Sequence, residues 1–316
     1  MSRDGEKARG NFIKKQKFCL VFHPKNIYNV MQYFCISGGI SMALPLAIQL
    51  FGVRDFMEKD PQKTLEKIAA MGYDGIEPCA GTYGMEPKAF RALCDRLGLD
   101  VISAHVSYHT LITDLENQLS LYQSLGTKYI AYPYMVEGQR PGDPDYDTVL
   151  ENMRRIGKAS RAHGIQMLYH NHDFEFEKIG GQYKLEYQFD HLTPEELQAE
   201  LDTCWVSVSG EDPAAYIRKF SGRCPCVHLK DYFMGREKPE HLYELIDKPE
   251  TQAKEGESTL EFRPAGQGML HVPSVLEAAK DAGAKWIIIE QDAPSLGMDQ
   301  MECARASIKH LQSIQW

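Results

Sequence analysis

From Leu44 onward the chain alternates two hydrophobic patterns. Stretches with apolar residues every three or four positions describe the buried face of a helix, and short unbroken apolar runs describe strands covered on both sides. The first pattern predicts helices over 62–71, 88–97, 114–125, 147–163 and 273–282, and one more after Asp212-Pro213. The second predicts strands over 44–50, 75–77, 101–106, 129–132, 165–170, 199–202, 227–229 and 286–290. Local punctuation agrees. Asp60-Pro61 offers an N-cap followed by proline at the first helical position. Gly72, Gly98, Gly126, Gly164, Gly222 and Gly283 stand between a helix and the next strand, where glycine allows the left-handed turn that ends a helix.

Strand starts recur about every 35 residues, a βα period. Eight such units predict one closed (β/α)8 TIM barrel over residues 42–316. An open doubly wound sheet would carry a glycine-rich phosphate loop after its first strand, and none follows residue 50.

Residues 1–41 do not share the pattern. They hold seven Lys/Arg and two Asp/Glu, whereas the rest of the chain carries a net charge of −14. Their apolar run is broken by Tyr28, Asn29, Gln32, Tyr33 and Ser37, so it reads as neither a signal peptide nor a membrane span. The segment Gly38-Gly39-Ile40-Ser41 before Met42 is what a ribosome-binding sequence ahead of an ATG would encode. The expectation is that translation starts at Met42 and that the leader is disordered or misread upstream DNA.

With 316 residues, 43% hydrophobic and 25% charged, the whole has ordinary globular composition. A net charge of −9 argues against duplex nucleic acid as a partner. The eight cysteines are scattered, and the close pair Cys224 and Cys226 reads as reduced packing residues, which favours the cytoplasm. A homo-oligomer is left open.

In such barrels the C-terminal strand ends face the active site. Those ends carry Gln49, Glu77, His105, Tyr132, His170 with His172, Asp202, His228 with Lys230 and Asp231, and Glu290. A lone strand-end histidine is more often a hydrogen-bonded core residue than a ligand, and an aspartate before Thr203 is often a helix cap. Four such groups on four consecutive strands shift the balance. His170, Asp202, His228 and Glu290 form a mixed nitrogen and oxygen set that suits one divalent ion, Mn2+ first and Co2+, Zn2+ or Fe2+ after it, better than Ca2+.

Several runs carry a resemblance: Leu50-Phe51-Gly52-Val53-Arg54-Asp55, Gly72-Tyr73-Asp74-Gly75-Ile76-Glu77, Leu168-Tyr169-His170-Asn171-His172-Asp173-Phe174-Glu175-Phe176, Glu200-Leu201-Asp202-Thr203-Cys204-Trp205, His228-Leu229-Lys230-Asp231 and Ile289-Glu290-Gln291-Asp292. Residues 44–312 resemble the xylose-isomerase-like barrel superfamily, in particular its sugar phosphate isomerase/epimerase branch. The resemblance implies one divalent metal held from strands five to eight, commonly by Glu, Asp, His and Glu. Asp202, His228 and Glu290 match the last three, and His170 replaces the first Glu. That replacement removes one of the two proton-transfer carboxylates of C3-epimerases. The Tyr-His-Asn-His run is similar to the histidine-rich run of inosose dehydratases.

The expected activity is metal-dependent isomerisation or epimerisation of a sugar, sugar phosphate or polyol through an enediolate. The alternative is a metal-dependent lyase on a keto-sugar, keto-glycoside or inosose. Glu290 is the expected base and His172 or Glu77 its acid partner. Lys230 is expected to hold a substrate oxygen or a phosphate. Gln49, His105, Trp205 and Arg263 are the expected substrate contacts, with Phe51 a weaker candidate wall. The long stretch 232–270 between the last two strands, charged over 250–261, reads as a lid or binding loop, and Gly266 and Gly268 are a weak phosphate-loop signal. The related apurinic endonucleases carry Asp-Thr-Cys-His on strand six, and here Trp205 stands in the histidine position. With the acidic barrel, that speaks against nuclease activity. A non-catalytic binding module is poorly motivated with every proposed ligand present.

Overall fold

In the computed structural model, residues 43–79, 81–235 and 260–316 are described. The expected start at Met42 and the leader lie outside them, as does most of the charged part of the stretch between the last two strands.

Eight strands form one parallel sheet: β1 Leu46–Gln49, β2 Gly75–Glu77, β3 Asp100–Val101, β4 Tyr129–Tyr132, β5 Gln166–His170, β6 Gln198–Asp202, β7 Cys226–Leu229 and β8 Trp286–Ile289. Their order is β3-β2-β1-β8-β7-β6-β5-β4. The two ends of that series meet through a parallel bridge between His105 and Ala131, with Val106 N–H donating to the Ala131 carbonyl at 3.0 Å and Ala131 N–H to that of Ala104 at 2.9 Å. The sheet is therefore a closed (β/α)8 barrel. β3 is shorter than the predicted 101–106 because only its first residues keep a regular ladder, although its continuation still closes the ring.

The period of two along each strand sorts side chains into two cores. Outward residues such as Ile48, Ile76, Ile130, Met167, Leu201, Val227, Ile287 and Ile289 join the large cluster beneath the helices. Inward residues Ala47, Ile102, Ala131, Leu168, Cys226 and Ile288 fill the barrel interior as a separate apolar plug. Polar side chains occupy the next inward positions toward the C-terminal ends, so the plug closes the floor of the site.

The helix Pro61–Met71 starts as expected, with the Asp60 carboxylate accepting from Lys63 N–H, and stops at Gly72 with φ +97°. Elements not expected include the short helix Thr203–Val208 directly after β6 and the last helix, Gln300–Ser313, which is held by a reciprocal cap between Asp299 and Glu302. The predicted helix 114–125 is preceded by a separate turn of helix, Tyr108–Thr113. Part of the expected loop is an antiparallel ribbon pairing Asp231–Met234 with Leu260–Arg263. No helix among the described residues is long and apolar enough to cross a membrane.

Gly157, inside the helix Tyr146–Ala162, lies against the turn before β6, where an added Cβ would stand 2.4 Å from the Glu196 carbonyl oxygen. Gly157→Ala is expected to cost about 1–3 kcal/mol through overpacking, read as a lowered thermal midpoint. An unchanged midpoint would mean that the helix does not dock this closely.

Candidate metal centre

Each strand end delivers its side chain by an identifiable local device. β6 runs straight into the helix Thr203–Val208, whose first turn needs a capping acceptor. Asp202 Oδ1 provides it, accepting from Trp205 N–H at 3.0 Å. That bond orients the carboxylate and leaves the buried Oδ2 without a hydrogen-bond partner. The cap and ligand readings of Asp202 are thus compatible, one oxygen for each. The Asp202 N–H donates to Asn171 Oδ1 at 3.0 Å, which fixes β6 against β5. Thr203 Oγ1 accepts from Lys230 N–H at 3.1 Å and donates to the His228 carbonyl at 3.1 Å, which fixes the end of β7.

The donor atoms of His170, Asp202, His228 and Glu290 all lie within 4.8 Å of one another. His170 Nε2 stands 3.7 Å from Asp202 Oδ2 and 3.8 Å from Glu290 Oε2, and His228 Nδ1 is 2.9 Å from Glu290 Oε2. Burial, reinforced by His228, pushes the His170 imidazole down to about 3, so the ring is neutral, as a ligand must be. Burial alone would lower His228 as well, but Glu200, Glu77 and Glu290 reverse the sign and raise it well above its usual value. Without an ion the ring is therefore protonated, and a cation binding there displaces the proton that Nδ1 shares with Glu290. Burial raises Asp202 to about 7 against the pull of Lys230. The carboxylates thus draw positive charge into this space. With the open Asp202 oxygen and the mixed donors, the set fits a divalent transition-metal ion.

Lys230 supplies part of the positive charge. Its Nζ is 2.6 Å from Asp292 Oδ2, 3.4 Å from Glu290 Oε2 and 3.7 Å from Asp202 Oδ2, and only 1% of the residue is exposed. Burial would lower its pKa, but these carboxylates raise it well above the usual lysine value, so it stays an ammonium. Trp205 and Phe262 pack around it, with ring centroids 5.3 and 4.9 Å from Nζ.

The other expected site residues divide. His172 lies beside the cluster, 5.1 Å ring to ring from His170 and stacked on Phe174 at 5.6 Å. Trp205, expected as a sugar-facing wall, is fully buried beside Lys230 and lies 5.4 Å ring to ring from His172. Glu77, expected as an acid partner, is fully buried, with Gln49 Nε2 donating to Oε2 at 2.8 Å and His228 Nε2 at 2.8 Å from the same oxygen. His105 Nε2 bonds Glu200 Oε2 at 2.8 Å. Gln49 and His105 are therefore held by buried carboxylates. Arg263 is paired with Glu261 at 2.7 Å and lies over Phe233, and Arg54 covers Phe51. Gly266 and Gly268 serve an internal anion: their N–H groups donate to Asp231 Oδ2, both at 2.9 Å, while Leu270 and Tyr232 N–H donate to Oδ1.

Glu200 went unrecognised in the sequence. It is fully buried, and its Oε2 lies within reach of His105, His170 and His228. Its signal was available: it precedes Asp202 by two residues on one strand, so both point inward.

Comparison with known proteins agrees with this architecture. The family model described as xylose isomerase-like TIM barrel matches residues 65–314. The chain is similar to an inosose dehydratase of Lacticaseibacillus casei, 22% identical over 277 residues that cover 80% of this chain and 89% of the relative. Among solved structures it is similar to a sugar phosphate isomerase/epimerase from Parabacteroides distasonis ATCC 8503, with TM-score 0.68, 18% identity and coverage of 86% and 99% of the two chains. It is also similar to the IolI protein with a bound zinc atom, with TM-score 0.63, 13% identity and coverage of 85% and 96%. At these identities the structures speak for the fold alone.

Lys230→Met removes the buried ammonium from three carboxylates. The expected loss is about 3–5 kcal/mol at neutral pH, as for a broken buried ion pair. The deficit should shrink as pH falls, because Asp202, Glu290 and Asp292 then take up protons in place of the missing charge. Denaturant titrations of both proteins across pH measure it, and a pH-independent deficit would contradict the assignment.

Proposed function

The chain belongs to the xylose isomerase-like TIM barrel family, and from that premise we propose that it is a divalent-metal-dependent isomerase or epimerase of a sugar or polyol, working through an enediolate. The observation that carries the reading is the convergence of His170, Asp202, His228 and Glu290 at the barrel mouth. Mn2+ is the first choice of ion and Co2+, Zn2+ or Fe2+ the alternatives. Bound there, it supplies Lewis-acid polarisation of a substrate carbonyl and neutralises charge as the enediolate forms.

The chain's own groups do the proton work. Glu290, an unprotonated carboxylate beside Lys230, removes the proton α to the carbonyl, and the electron pair moves onto the carbonyl oxygen. The Lys230 ammonium offsets negative charge as it develops. Glu290 then returns the proton to the neighbouring carbon while the hydroxyl proton passes to the former carbonyl oxygen, which interconverts aldose and ketose. Burial holds His172 neutral, so it acts as the opposite-face acid for epimerisation only after taking up a proton from solvent. Three carboxylates, Asp202, Glu290 and Asp292, surround the buried Lys230 ammonium. That balance favours an uncharged polyhydroxy carbonyl compound over a sugar phosphate.

A second reading, elimination from a keto-sugar, keto-glycoside or inosose, has two specific supports. His170 stands where the symmetrical epimerase mechanism needs a second carboxylate, and the curated relatives are named inosose dehydratases. The steps are shared up to the enediolate, which then expels a β-oxygen that leaves with the proton Glu290 took up.

The expected outcome is about one divalent ion per wild-type chain, with Asp202→Asn much depleted. Incubation of the metal-loaded enzyme in heavy water with ketoses, keto-glycosides and inososes, each paired with its phosphate ester where one exists, separates the readings. Deuterium retained in a rearranged sugar supports isomerisation, and loss of water or an aglycone supports elimination. Glu290→Gln should slow either by about 10²–10⁴-fold, the usual worth of a positioned acid–base group. A loaded enzyme that exchanges no deuterium with any of these compounds would refute the mechanism.

A further inference from the structure

Beneath the four candidate ligands lies a second buried polar tier composed of Gln49, Glu77, His105 and Glu200. It faces the opposite nitrogens of the same two imidazoles. His228 presents Nδ1 to Glu290 above, at 2.9 Å, and Nε2 to Glu77 at 2.8 Å and Glu200 at 3.3 Å below. His170 presents Nε2 to Asp202 and Glu290 and Nδ1 to Glu200 at 3.6 Å. The lower nitrogens of both rings thus face carboxylates at ion-pair distance, without an aligned hydrogen bond to any described residue. Each ring is thus sandwiched between two sets of carboxylates. We propose that Glu200 and Glu77 are positioning residues that hold the N–H sides of His170 and His228 from below and thereby turn one lone pair of each ring toward the cation position above.

The argument is one of proton inventory. A neutral imidazole has one N–H and one lone pair, on different nitrogens. It can ligate through the upper nitrogen only when the proton sits on the lower one, and a carboxylate below selects that tautomer and makes the ring a better donor. The lower carboxylates are themselves fixed: Gln49 donates to Glu77 at 2.8 Å, and His105 bonds Glu200 at 2.8 Å with its ring stacked 5.3 Å from that of His228. Glu77 and Glu200 are both 0% exposed, as are Asp202 and His228 above them.

The lower set could instead bind an ion of its own, because donor atoms of His105, His170, Glu200 and His228 also lie within 4.8 Å of one another. Filling both sets at once would strip both ring protons from two imidazoles. One ion above, supported from below, avoids that cost.

The inference rests on the cation site proposed above, and Co2+ titration of the metal-depleted full chain tests it by calorimetry and visible absorption. Wild type is expected to take one Co2+. Glu200→Gln and Glu77→Gln are each expected to bind one Co2+ about 10–100-fold more weakly. Their ligand-field bands should shift, and the midpoint of the metal-depleted protein should be unchanged or higher. Two Co2+ per wild-type chain, or both variants matching wild type within twofold with the same spectrum, overturns the inference. Asp202→Asn serves as the control on the underlying reading. If it binds like wild type while Glu200→Gln does not, the upper ligand assignment is what fails, and the lower tier is itself the site.

Discussion

Charge compensation in a space closed to water is the constraint on which the site depends. Glu77, Glu200, Asp202, Glu290 and Asp292 are all buried at one end of the barrel. Leaving even one such group uncompensated would cost several kcal/mol, roughly a third or more of a typical domain's net stability. The fold answers with Lys230, three imidazoles, the N-terminus of the Thr203–Val208 helix and a geometry that fits a divalent ion. The apolar plug of Ala47, Ile102, Ala131, Leu168, Cys226 and Ile288 closes the barrel below and offers these charges no polar partner on that side.

The barrel was readable from the chain because it is built from repeated local signals. Gly72, Gly98 and Gly283 each end a helix in the left-handed conformation, and the strands that follow stand close to where the apolar runs put them. The final helix was missed because Asp299 and Glu302, its reciprocal cap, follow the strand end through a loop with no strong periodicity of its own. The four upper candidate ligands were readable because each ends an apolar run, where a charge is conspicuous.

The second tier was harder to read, and Glu200 shows why. It lies in mid-strand, where an isolated acidic residue resembles an outward, solvated position. Only the register fixed by Asp202 turns it inward, and only closure of the barrel brings His105, far away in sequence, to within 2.8 Å. Glu77 was noticed as a strand-end carboxylate, and a strand end carries no mark of depth. Depth depends on the stagger between neighbouring strands: Gln49 lies level with Glu77, whereas His170 lies level with Glu200 rather than Asp202.

Lys230 and Asp231 show how one dipeptide divides two tasks by alternation. Lys230 turns into the carboxylate cluster. Asp231 turns the other way and gathers four backbone N–H groups, those of Gly266, Gly268, Leu270 and Tyr232. An added Cβ at Gly268 would stand 2.1 Å from Asp231 Oδ1, so the close approach of this loop requires glycine. The returning end of the β7–β8 stretch is thereby bound to the residue next to the buried ammonium, and the ribbon it forms brings Phe262 over Lys230. A displacement of that stretch at the mouth must pull on Asp231 or on Phe262, and through either one it changes the packing around Lys230. The described ends of the stretch are thus joined to the buried ammonium through Asp231 and Phe262.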